Sequence, residues 1–316
     1  MSEQLGPKLE RPVVERLAII GCGLIGSSLL RVARRRNLAR RIVATDASAP
    51  VRARVVELGL ADEVHDSAAD AVRDADLIIL CAPVGANAAI AAEIAPALST
   101  GAIVSDVGSV KGAVASAVAP FIPKGVHFIP GHPVAGTEQS GPDAGFPTLF
   151  LNRWCILTPP AGADPHAVET LSAFWTAAGS NVETMSCEHH DLVLAITSHV
   201  PHLIAYNIVG TAADLEEVTQ SEVIKFSAGG FRDFTRIAAS NPTMWRDVFL
   251  NNKDAVLEIL GRFTEDLSAL QRMIRWGDGD GLFALFTRTR DIRRSIIEIG
   301  QESDVPDFGR HQSDPQ

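Results

Sequence analysis

The segment LAIIGCGLIG, residues 17–26, decides how the first half of the chain folds. Its first four residues are apolar and β-like, and they run directly into Gly21, Gly23 and Gly26, the spacing of a G-x-G-x-x-G loop that opens a helix. Gly21 permits a tight turn, Gly23 lets the backbone approach a bound group, and Gly26 allows the helix to pack closely on the strand. The segment therefore predicts the strand, loop and helix that begin a doubly wound α/β domain.

The same pattern predicts a nicotinamide dinucleotide as cofactor. The helix N-terminus offers free N–H groups and a positive dipole end to a pyrophosphate, and Leu24 and Ile25 belong to this loop. Asp46 ends the second predicted strand, twenty residues after the last glycine, where its carboxylate can accept a hydrogen bond from a ribose hydroxyl. Because a 2′-phosphate would be repelled there, we expect NAD rather than NADP; Arg52 is the one nearby feature that favours NADP.

Short apolar runs alternate with helical patterns up to about residue 185, which predicts βαβ units and a mostly parallel sheet. The predicted strands cover residues 17–20, 42–46, 76–83, 102–106, 126–133, 154–159 and 181–185. From Cys187 onward the pattern is helical, over residues 191–213, 216–225, 241–273 and 282–299. We therefore expect a Rossmann-like domain over residues 14–186, an all-helical domain over residues 187–300, and a disordered tail over residues 301–316.

Composition excludes several other classes of protein. The 316 residues carry a formal net charge of −10, which argues against nucleic acid as the main partner. The four cysteines are far apart and form no Cys-x-x-Cys pair, so neither a zinc site nor a disulfide framework is expected. Charged residues stand where a signal peptide would need an apolar core, so we expect a cytoplasmic protein.

One segment requires a test for membrane insertion. Residues 192–213 contain no Asp, Glu, Lys or Arg and are long enough to cross a bilayer. They also contain His199, Pro201, His202 and Asn207, so we expect a helix buried inside the protein and no membrane partner. His199 and His202 lie one helical turn apart, but without a carboxylate at ligand spacing on that helix we expect no metal site. The cluster Glu188–Asp191 is predicted to cap the start of the helix.

Ligands of an open α/β sheet bind outside the carboxyl ends of its strands, and this rule selects candidate site residues. Cys81 and Pro83 follow the apolar core of one predicted strand, residues 77–80. Ser109 follows the core 103–104 of the next strand, and His132 follows the core 128–129 of a third. We expect Cys81, Pro83 and Ser109 beside the cofactor. A histidine at the same edge has a pKa suited to taking a hydroxyl proton while a hydride leaves the adjacent carbon, so His132 is the candidate general base.

Six strings along residues 17–299 carry a resemblance to a known family: GCGLIGSS, DVGSVKG, GHPVAGTEQSG, SHVPH, GGFRDFTRIA and NPTMWRDVF. In this order they resemble the prephenate/arogenate (cyclohexadienyl) dehydrogenases of tyrosine biosynthesis. The resemblance implies a Rossmann domain followed by a helical domain that forms a homodimer. It also implies roles for single residues: His132 as catalytic base, Ser109 positioning the substrate hydroxyl and the nicotinamide, His202 facing the substrate side chain, Arg236 binding a carboxylate, Gly229 beside the substrate, Asp233 reaching the neighbouring subunit's site, and Trp245 supporting the pocket.

The implied reaction is the NAD-dependent oxidative decarboxylation of prephenate to 4-hydroxyphenylpyruvate, of arogenate to tyrosine, or of both. One alternative is a β-hydroxyacid or 6-phosphogluconate-type dehydrogenase, which relies on a lysine of its helical domain. Lys225 and Lys253 are the only lysines after Cys187, and neither lies in such a motif. A second alternative, a non-catalytic nucleotide-sensing regulator, would need a DNA-binding module or a distinct partner domain, and the sequence shows neither.

Overall fold

The computed structural model describes residues 5–137, 139–219 and 229–298. Its contacts divide the chain into two compact units. The first unit is Met1–His202 together with Ala239–Val256, and the second is Leu203–Ala238 together with Leu257–Gln316. Two helical segments beyond residue 186 are therefore grouped with the strands, whereas the domain limits expected from sequence stay predictions.

A six-stranded parallel sheet forms the centre of the first unit, in the order β3-β2-β1-β4-β5-β6. Its strands are β1 (Val14–Ile20), β2 (Ala39–Thr45), β3 (Glu63–His65), β4 (Leu77–Leu80), β5 (Ile103–Asp106) and β6 (His127–Phe128). Helices cover both faces of this sheet, as an all-parallel sheet requires. They are α1 (Leu24–Arg36), α2 (Ala49–Glu57), α3 (Ala68–Ala71), α4 (Asn87–Ile94), α5 (Gly112–Val118) and α6 (Pro165–Ala178). This is the α/β Rossmann architecture predicted from the sequence.

Alternating residues of β1 supply the two halves of the core. Leu17 and Ile19 point into a cluster that includes α1 and the Phe174–Trp175 pair of α6. Ala18 and Ile20 point into a second cluster on the opposite face, with residues of α4 and α5. Both faces of β1 are covered at these four positions, so residues 17–20 are all apolar, whereas Glu15 and Arg16 earlier in the strand are not buried. The last residue, Ile20, pairs with the ends of both β2 and β4. This register brings the carboxyl ends of the central strands to one edge.

A second, three-stranded sheet corrects the strand prediction for residues 126–133. Those residues form two strands that belong to different sheets, β6 in the large sheet and β7 (Gly131–Pro133) in the small one. β7 pairs antiparallel with β8 (Trp154–Leu157), which pairs parallel with β9 (Asn181–Thr184). Pro130 lies between β6 and β7, and because it has no N–H to donate to a ladder it marks the place where the chain changes sheets.

The helices after β9 differ from the prediction in two places. α7 (Cys187–Leu194), a π-helical turn (Ala195–His199) and α8 (Val200–Thr219) follow one another without a break. Residues 216–219 of the predicted helix 216–225 therefore belong to α8 and do not begin a new helix. Its residues 220–225 lie outside the described part of the chain. The predicted helix 241–273 is two helices, Pro242–Asn251 and Lys253–Trp276, that meet at Asn252. The other helices of this part are Gly229–Thr235 and Gly279–Glu298, and the predicted tail 301–316 lies outside the described residues.

Within the described residues, Cys187–Leu215 is the one helical stretch that is long and apolar enough to cross a membrane, judged by length and composition alone. Its buried positions are concentrated between His190 and Val200, whereas residues 207–211 are exposed. The expectation of a helix buried inside the protein therefore fits only the first part of this stretch. The absence of a membrane partner stays a prediction.

Candidate active site

The glycine loop leaves open space where a dinucleotide backbone would bind. Gly21 has a φ of +98°, and a Cβ there would lie 2.7 Å from the carbonyl oxygen of Cys81. A Cβ on Gly26 would lie 1.9 Å from the Gly21 carbonyl oxygen, so α1 can pack this closely only through glycine. By contrast, a Cβ on Gly23 would meet no atom within 4 Å. Gly21 and Gly26 are thus required by the fold itself, whereas Gly23 borders the free space at the N-terminus of α1.

Asp46, the residue predicted to bind the ribose, lies directly after β2. Its two carboxylate oxygens accept hydrogen bonds from the backbone N–H groups of Cys22 and Ser48, at 2.8 and 2.9 Å. The carboxylate is therefore fixed beside the glycine loop, as recognition of a ribose diol requires. Arg52, the residue that favoured NADP, is held by the side chain of Asp66 and the carbonyl of Asp46. The loop and Asp46 together fit NAD.

Two cysteines, Cys22 inside the glycine loop and Cys81 against it, are packing groups. Burial, with the nearby charge of Asp46, raises the pKa of Cys22 to about 12. Burial likewise raises the pKa of Cys81 well above its usual value. Both side chains are therefore neutral thiols at physiological pH. The Cys81 backbone contacts Gly21, whereas Pro83, two residues further on, is exposed at the same strand end.

His132 lies in β7, not in a loop after a strand of the large sheet, which corrects the route by which it reaches the site. The backbone N–H of Gly131 donates to Asp106, the last residue of β5, at 3.2 Å, and this contact holds β7 at the carboxyl end of the large sheet. The His132 ring is buried. Its Nδ1 lies 2.9 Å from Nε2 of His190, and Nδ1 of His190 lies 2.8 Å from Oδ1 of Asp191.

The electrostatics of this histidine pair keep both rings neutral. Burial, together with the charge of Lys111, lowers the pKa of His132 well below its usual value, and burial also lowers the pKa of His190. Burial alone would raise the pKa of Asp191, but hydrogen bonds from His190, Lys111 and Gly112 outweigh it and lower that pKa. At neutral pH the site therefore holds two neutral imidazoles and an ionised carboxylate, and His132 can act as a proton acceptor.

A buried ion pair that the sequence analysis did not identify supports this arrangement. Lys111 and Asp106 are both fully buried, with Nζ 2.5 Å from Oδ2, and the same ammonium donates to the carbonyl of Gly131 at 2.6 Å. The backbone N–H of Lys111 donates to Asp191 at 2.8 Å. Lys111 thus connects the end of β5, strand β7 and helix α7. The string DVGSVKG contained this lysine, but its spacing alone showed no partner.

The capping prediction for Glu188–Asp191 is wrong for half of the cluster. Ser186 caps α7, with Oγ accepting from the backbone N–H of His189 at 3.2 Å, and Glu188 lies in the first turn. His190 and Asp191 instead face the interior and join the His132 network. Sequence reasoning missed His190 and Asp191 as functional candidates, because the helical pattern does not show that they are buried or that they contact residues 58 and 80 positions away.

A connected group of side chains lies beside Asp191, with members from the π-helical turn, from α8, from the helix Pro242–Asn251 and from Asn252. His202 stacks on Trp245, with ring centroids 3.7 Å apart and planes 24° apart. His199 is fully buried, and burial lowers its pKa to about 4, a shift that a backbone contact with Ser109 opposes. The side-chain amide of Asn252 donates to the carbonyl of Asp191 at 2.8 Å and lies 3.1 Å from Nδ1 of His199. Ser109, His202 and Trp245 thus lie in the same unit as His132.

Gly229, Asp233 and Arg236 lie in the second unit. Gly229 and Asp233 belong to the helix Gly229–Thr235, one turn apart, and Arg236 begins a 3₁₀ turn with its side chain exposed. Their placement beside His132 stays a prediction. In the described part of the chain, no group of three or more His, Cys, Asp or Glu side chains could hold a metal ion.

The fold and site define a dinucleotide-dependent dehydrogenase: a Rossmann sheet, an open glycine loop with a carboxylate held beside it, and a buried neutral imidazole in a strand that is held at the carboxyl end of β5. Two family models match the chain, the nucleotide-binding domain of prephenate dehydrogenase over residues 29–184 and its dimerization domain over residues 186–288. The chain belongs to the prephenate dehydrogenase family.

Individual relatives agree with this assignment. A cyclohexadienyl dehydrogenase of Zymomonas mobilis is 42% identical over 90% of this chain and 97% of its own length. A structure of the Aquifex aeolicus prephenate dehydrogenase in complex with hydroxyphenyl propionate and NAD⁺ is 33% identical, with a TM-score of 0.84, and covers 89% of this chain and 98% of its own. A Synechocystis arogenate dehydrogenase is 28% identical, with a TM-score of 0.77, over 89% and 99% of the two chains.

Proposed function

We propose that this protein catalyses the NAD-dependent oxidative decarboxylation of prephenate, of arogenate, or of both. The observation that carries the proposal is the buried, neutral imidazole of His132, in a strand held at the carboxyl end of β5, on the edge of the sheet from which the glycine loop also leaves. The relatives support the substrate class, because their names include cyclohexadienyl, prephenate and arogenate dehydrogenases. The Aquifex aeolicus structure, which holds NAD⁺, supports the cofactor.

The chemistry follows from the proton that His132 can hold. NAD⁺, when bound, accepts a hydride from the ring carbon that bears the substrate hydroxyl. His132 removes the hydroxyl proton, and this ring carbon becomes a carbonyl group that is conjugated with the two ring double bonds. The carboxylate on the quaternary carbon opposite then leaves as carbon dioxide, and its bonding electrons pass through the ring to the ketone oxygen. His132 returns its proton to that oxygen, so the product is a phenol and the imidazole is neutral again.

Because aromatisation drives the reaction, the protein's main task is to position a substrate that carries two carboxylates. We assign Arg236 to a substrate carboxylate, because a planar guanidinium can bind it through two parallel hydrogen bonds. Ser109 positions the hydroxyl, and His202, held against Trp245, faces the substrate side chain. Gly229 lies beside the substrate, and Asp233 reaches the site of a second copy. These roles rest on the family resemblance of the motifs that contain them.

We also propose a cytoplasmic homodimer formed through the helical domain. The name of the second family model, a dimerization domain, supports this assembly. Large apolar side chains are exposed along the helices Lys253–Trp276 and Gly279–Glu298: Leu257, Leu267, Ile274, Trp276, Phe283 and Phe286. A mass of about 67 kDa by light scattering, twice the 33.7 kDa of one chain, is the expected result, and a monomer at micromolar concentration would exclude the dimer.

The test is NADH formation with prephenate and with arogenate, each with NAD⁺ and NADP⁺. We expect turnover with NAD⁺ and at least one of the two substrates. Replacing His132 by Asn should lower kcat by about 10²–10⁴-fold, the usual contribution of a positioned general base. His166→Asn is the matched control, because that side chain is 93% exposed on α6. Failure of the wild type to form NADH with either substrate would refute the proposal, and near-normal turnover of His132→Asn would remove His132 from the role of base.

A further inference from the structure

We propose that His190 and Asp191 are positioning residues that fix the tautomer of His132. They hold its proton on Nδ1, so that the unprotonated Nε2 faces the substrate hydroxyl. The inference rests on the proposed function, because it concerns the same base. It follows from the three-residue chain Asp191–His190–His132 and from the hydrogen-bonding rules of its members. Neither His190 nor Asp191 touches the reacting atoms in this scheme; both act through His132.

The chain of donors and acceptors starts at Asp191, which can only accept. Both of its carboxylate oxygens already accept backbone hydrogen bonds, Oδ1 from Lys111 at 2.8 Å and Oδ2 from Gly112 at 2.9 Å. Because an ionised carboxylate has no proton to give, the 2.8 Å contact between its Oδ1 and His190 requires the proton to be on Nδ1 of His190. The neutral ring of His190 then has a lone pair on Nε2.

The second link transmits this assignment to His132. Nε2 of His190 is an acceptor, so the 2.9 Å contact with Nδ1 of His132 requires Nδ1 of His132 to carry the proton. A neutral imidazole has one proton, so Nε2 of His132 has a lone pair and can accept the substrate proton. The opposite tautomer would place a proton on Nε2, and that ring could not act as a base. The two rings meet edge to face, 70° apart, which directs Nδ1 of His132 at His190.

The surrounding charges keep the scheme in its neutral form. The groups that act on His132 and His190 are Lys111, Asp106, Asp191 and His199. The Lys111 ammonium opposes protonation of both rings, while Asp106 neutralises that ammonium at 2.5 Å. Asn252 donates to the carbonyl of Asp191 and so holds the backbone of α7 in place. When His132 takes up a proton during the reaction, the ionised Asp191 lies two hydrogen bonds away and favours the imidazolium.

Two substitutions at position 190 distinguish the effect of losing the hydrogen-bond acceptor from the effect of changing the size of the side chain. His190→Gln places an amide oxygen where it can accept from His132, whereas His190→Met has similar length and no comparable acceptor. We expect His190→Met to lower kcat by about 10–100-fold and to change KM for substrate by less than about threefold, because only the base is affected. His190→Gln should recover most of the lost kcat. His189→Met, at the neighbouring exposed position of α7, is the matched control.

The tautomer itself is measured on the wild-type protein by long-range ¹H–¹⁵N correlation of the imidazole nitrogens, with His132→Asn used to assign the signals. The inference requires a proton on Nδ1 and a bare Nε2 in the wild type and in His190→Gln, with loss of that preference in His190→Met. A proton on Nε2 in the wild type would overturn it, as would equal kcat losses in the Gln and Met variants. Because the spectrum needs no turnover, it answers this question even if the enzyme does not oxidise prephenate.

Discussion

Acidification from pH 7 to pH 5 should destabilise the first unit through its buried histidines. His199 is the clearest example, because it is fully buried and burial lowers its pKa to about 4. In the unfolded chain the same ring has an ordinary pKa of about 6.5. Between these two values the unfolded state binds a proton that the folded state does not bind. The free energy of unfolding must therefore fall as the pH falls through this window.

The size of the effect follows from the shift. At about 1.4 kcal/mol for each unit of pKa, His199 alone contributes about 3 kcal/mol of stability above pH 6.5 that is lost below pH 4, and about 2 kcal/mol of this is already lost at pH 5. His132 and His190 act in the same direction, because their pKa values are also lowered. Glu63, whose pKa hydrogen bonds from Arg16 and Arg41 lower to about 2, acts in the same sense only below about pH 4.5.

The assay is urea-induced unfolding at pH 7.0, 6.0 and 5.0, on the wild type and on His199→Gln. The glutamine cannot titrate, and its amide oxygen can still accept from Asn252. We expect the variant to be less stable than the wild type at pH 7 and to lose about 2 kcal/mol less on moving to pH 5. His166→Gln, which changes an exposed histidine of α6, should follow the wild type. Parallel pH dependence of the wild type and His199→Gln would refute the reasoning.

Three further predictions concern the cofactor and the substrate. Gly23→Ala should leave the unfolding midpoint nearly unchanged, since its Cβ meets no atom, but it should raise KM for NAD⁺ at least about tenfold because the methyl group fills the free space. Gly26→Ala should instead destabilise the fold, since its Cβ would lie 1.9 Å from a carbonyl oxygen. Equal KM effects without loss of stability would contradict this distinction. Asp46→Ala should raise the ratio of kcat/KM for NADP⁺ to that for NAD⁺ by about tenfold or more, because it removes the charge that repels a 2′-phosphate; an unchanged ratio would argue against that role. Arg236→Lys should raise KM for prephenate by about tenfold with a smaller effect on kcat, because an ammonium cannot bind a carboxylate through two parallel hydrogen bonds; an unchanged KM with a lower kcat would contradict the binding role.

The cofactor site could be predicted from sequence because its geometry is local. The turn at Gly21, the packing at Gly26 and the N-terminus of α1 all belong to one short segment, and Asp46 directly follows the strand that pairs beside it. Such features depend on backbone conformation, which residue type controls directly. The sequence therefore predicted the glycine loop and the parallel sheet together, and the structure confirms both, whereas the cofactor contacts stay predictions.

The support around His132 could not be predicted in the same way, because its partners are distant in sequence. His190 lies 58 residues from His132, and Asp191 lies 80 residues from the Lys111 backbone that it binds. Periodicity placed His190 and Asp191 on a helix but gave no sign of what that helix packs against. The buried pair of Lys111 and Asp106 was missed for a related reason, since a lysine after a strand is usually a solvated residue.

The predicted strand and helix boundaries are wrong where tertiary contacts override the local sequence pattern. The sequence pattern predicted one strand over residues 126–133, yet these residues divide at Pro130 between two sheets. Residues 241–273 have continuous helical periodicity, yet the helix is interrupted at Asn252, whose side chain binds the Asp191 backbone and His199. In both cases the interruption positions a residue of the candidate site.

The most direct test of the central claim is a crystal structure of the protein with NAD⁺ and a bound hydroxyphenyl propionate, a non-reacting compound that carries the ring hydroxyl. The account predicts Nε2 of His132 within about 2.6–3.2 Å of that hydroxyl oxygen, the range that proton transfer requires. It also predicts that Nδ1 remains bonded to His190. A hydroxyl bound elsewhere, with Nε2 directed away from the ring and no water between them, would contradict the assignment of His132 as the base.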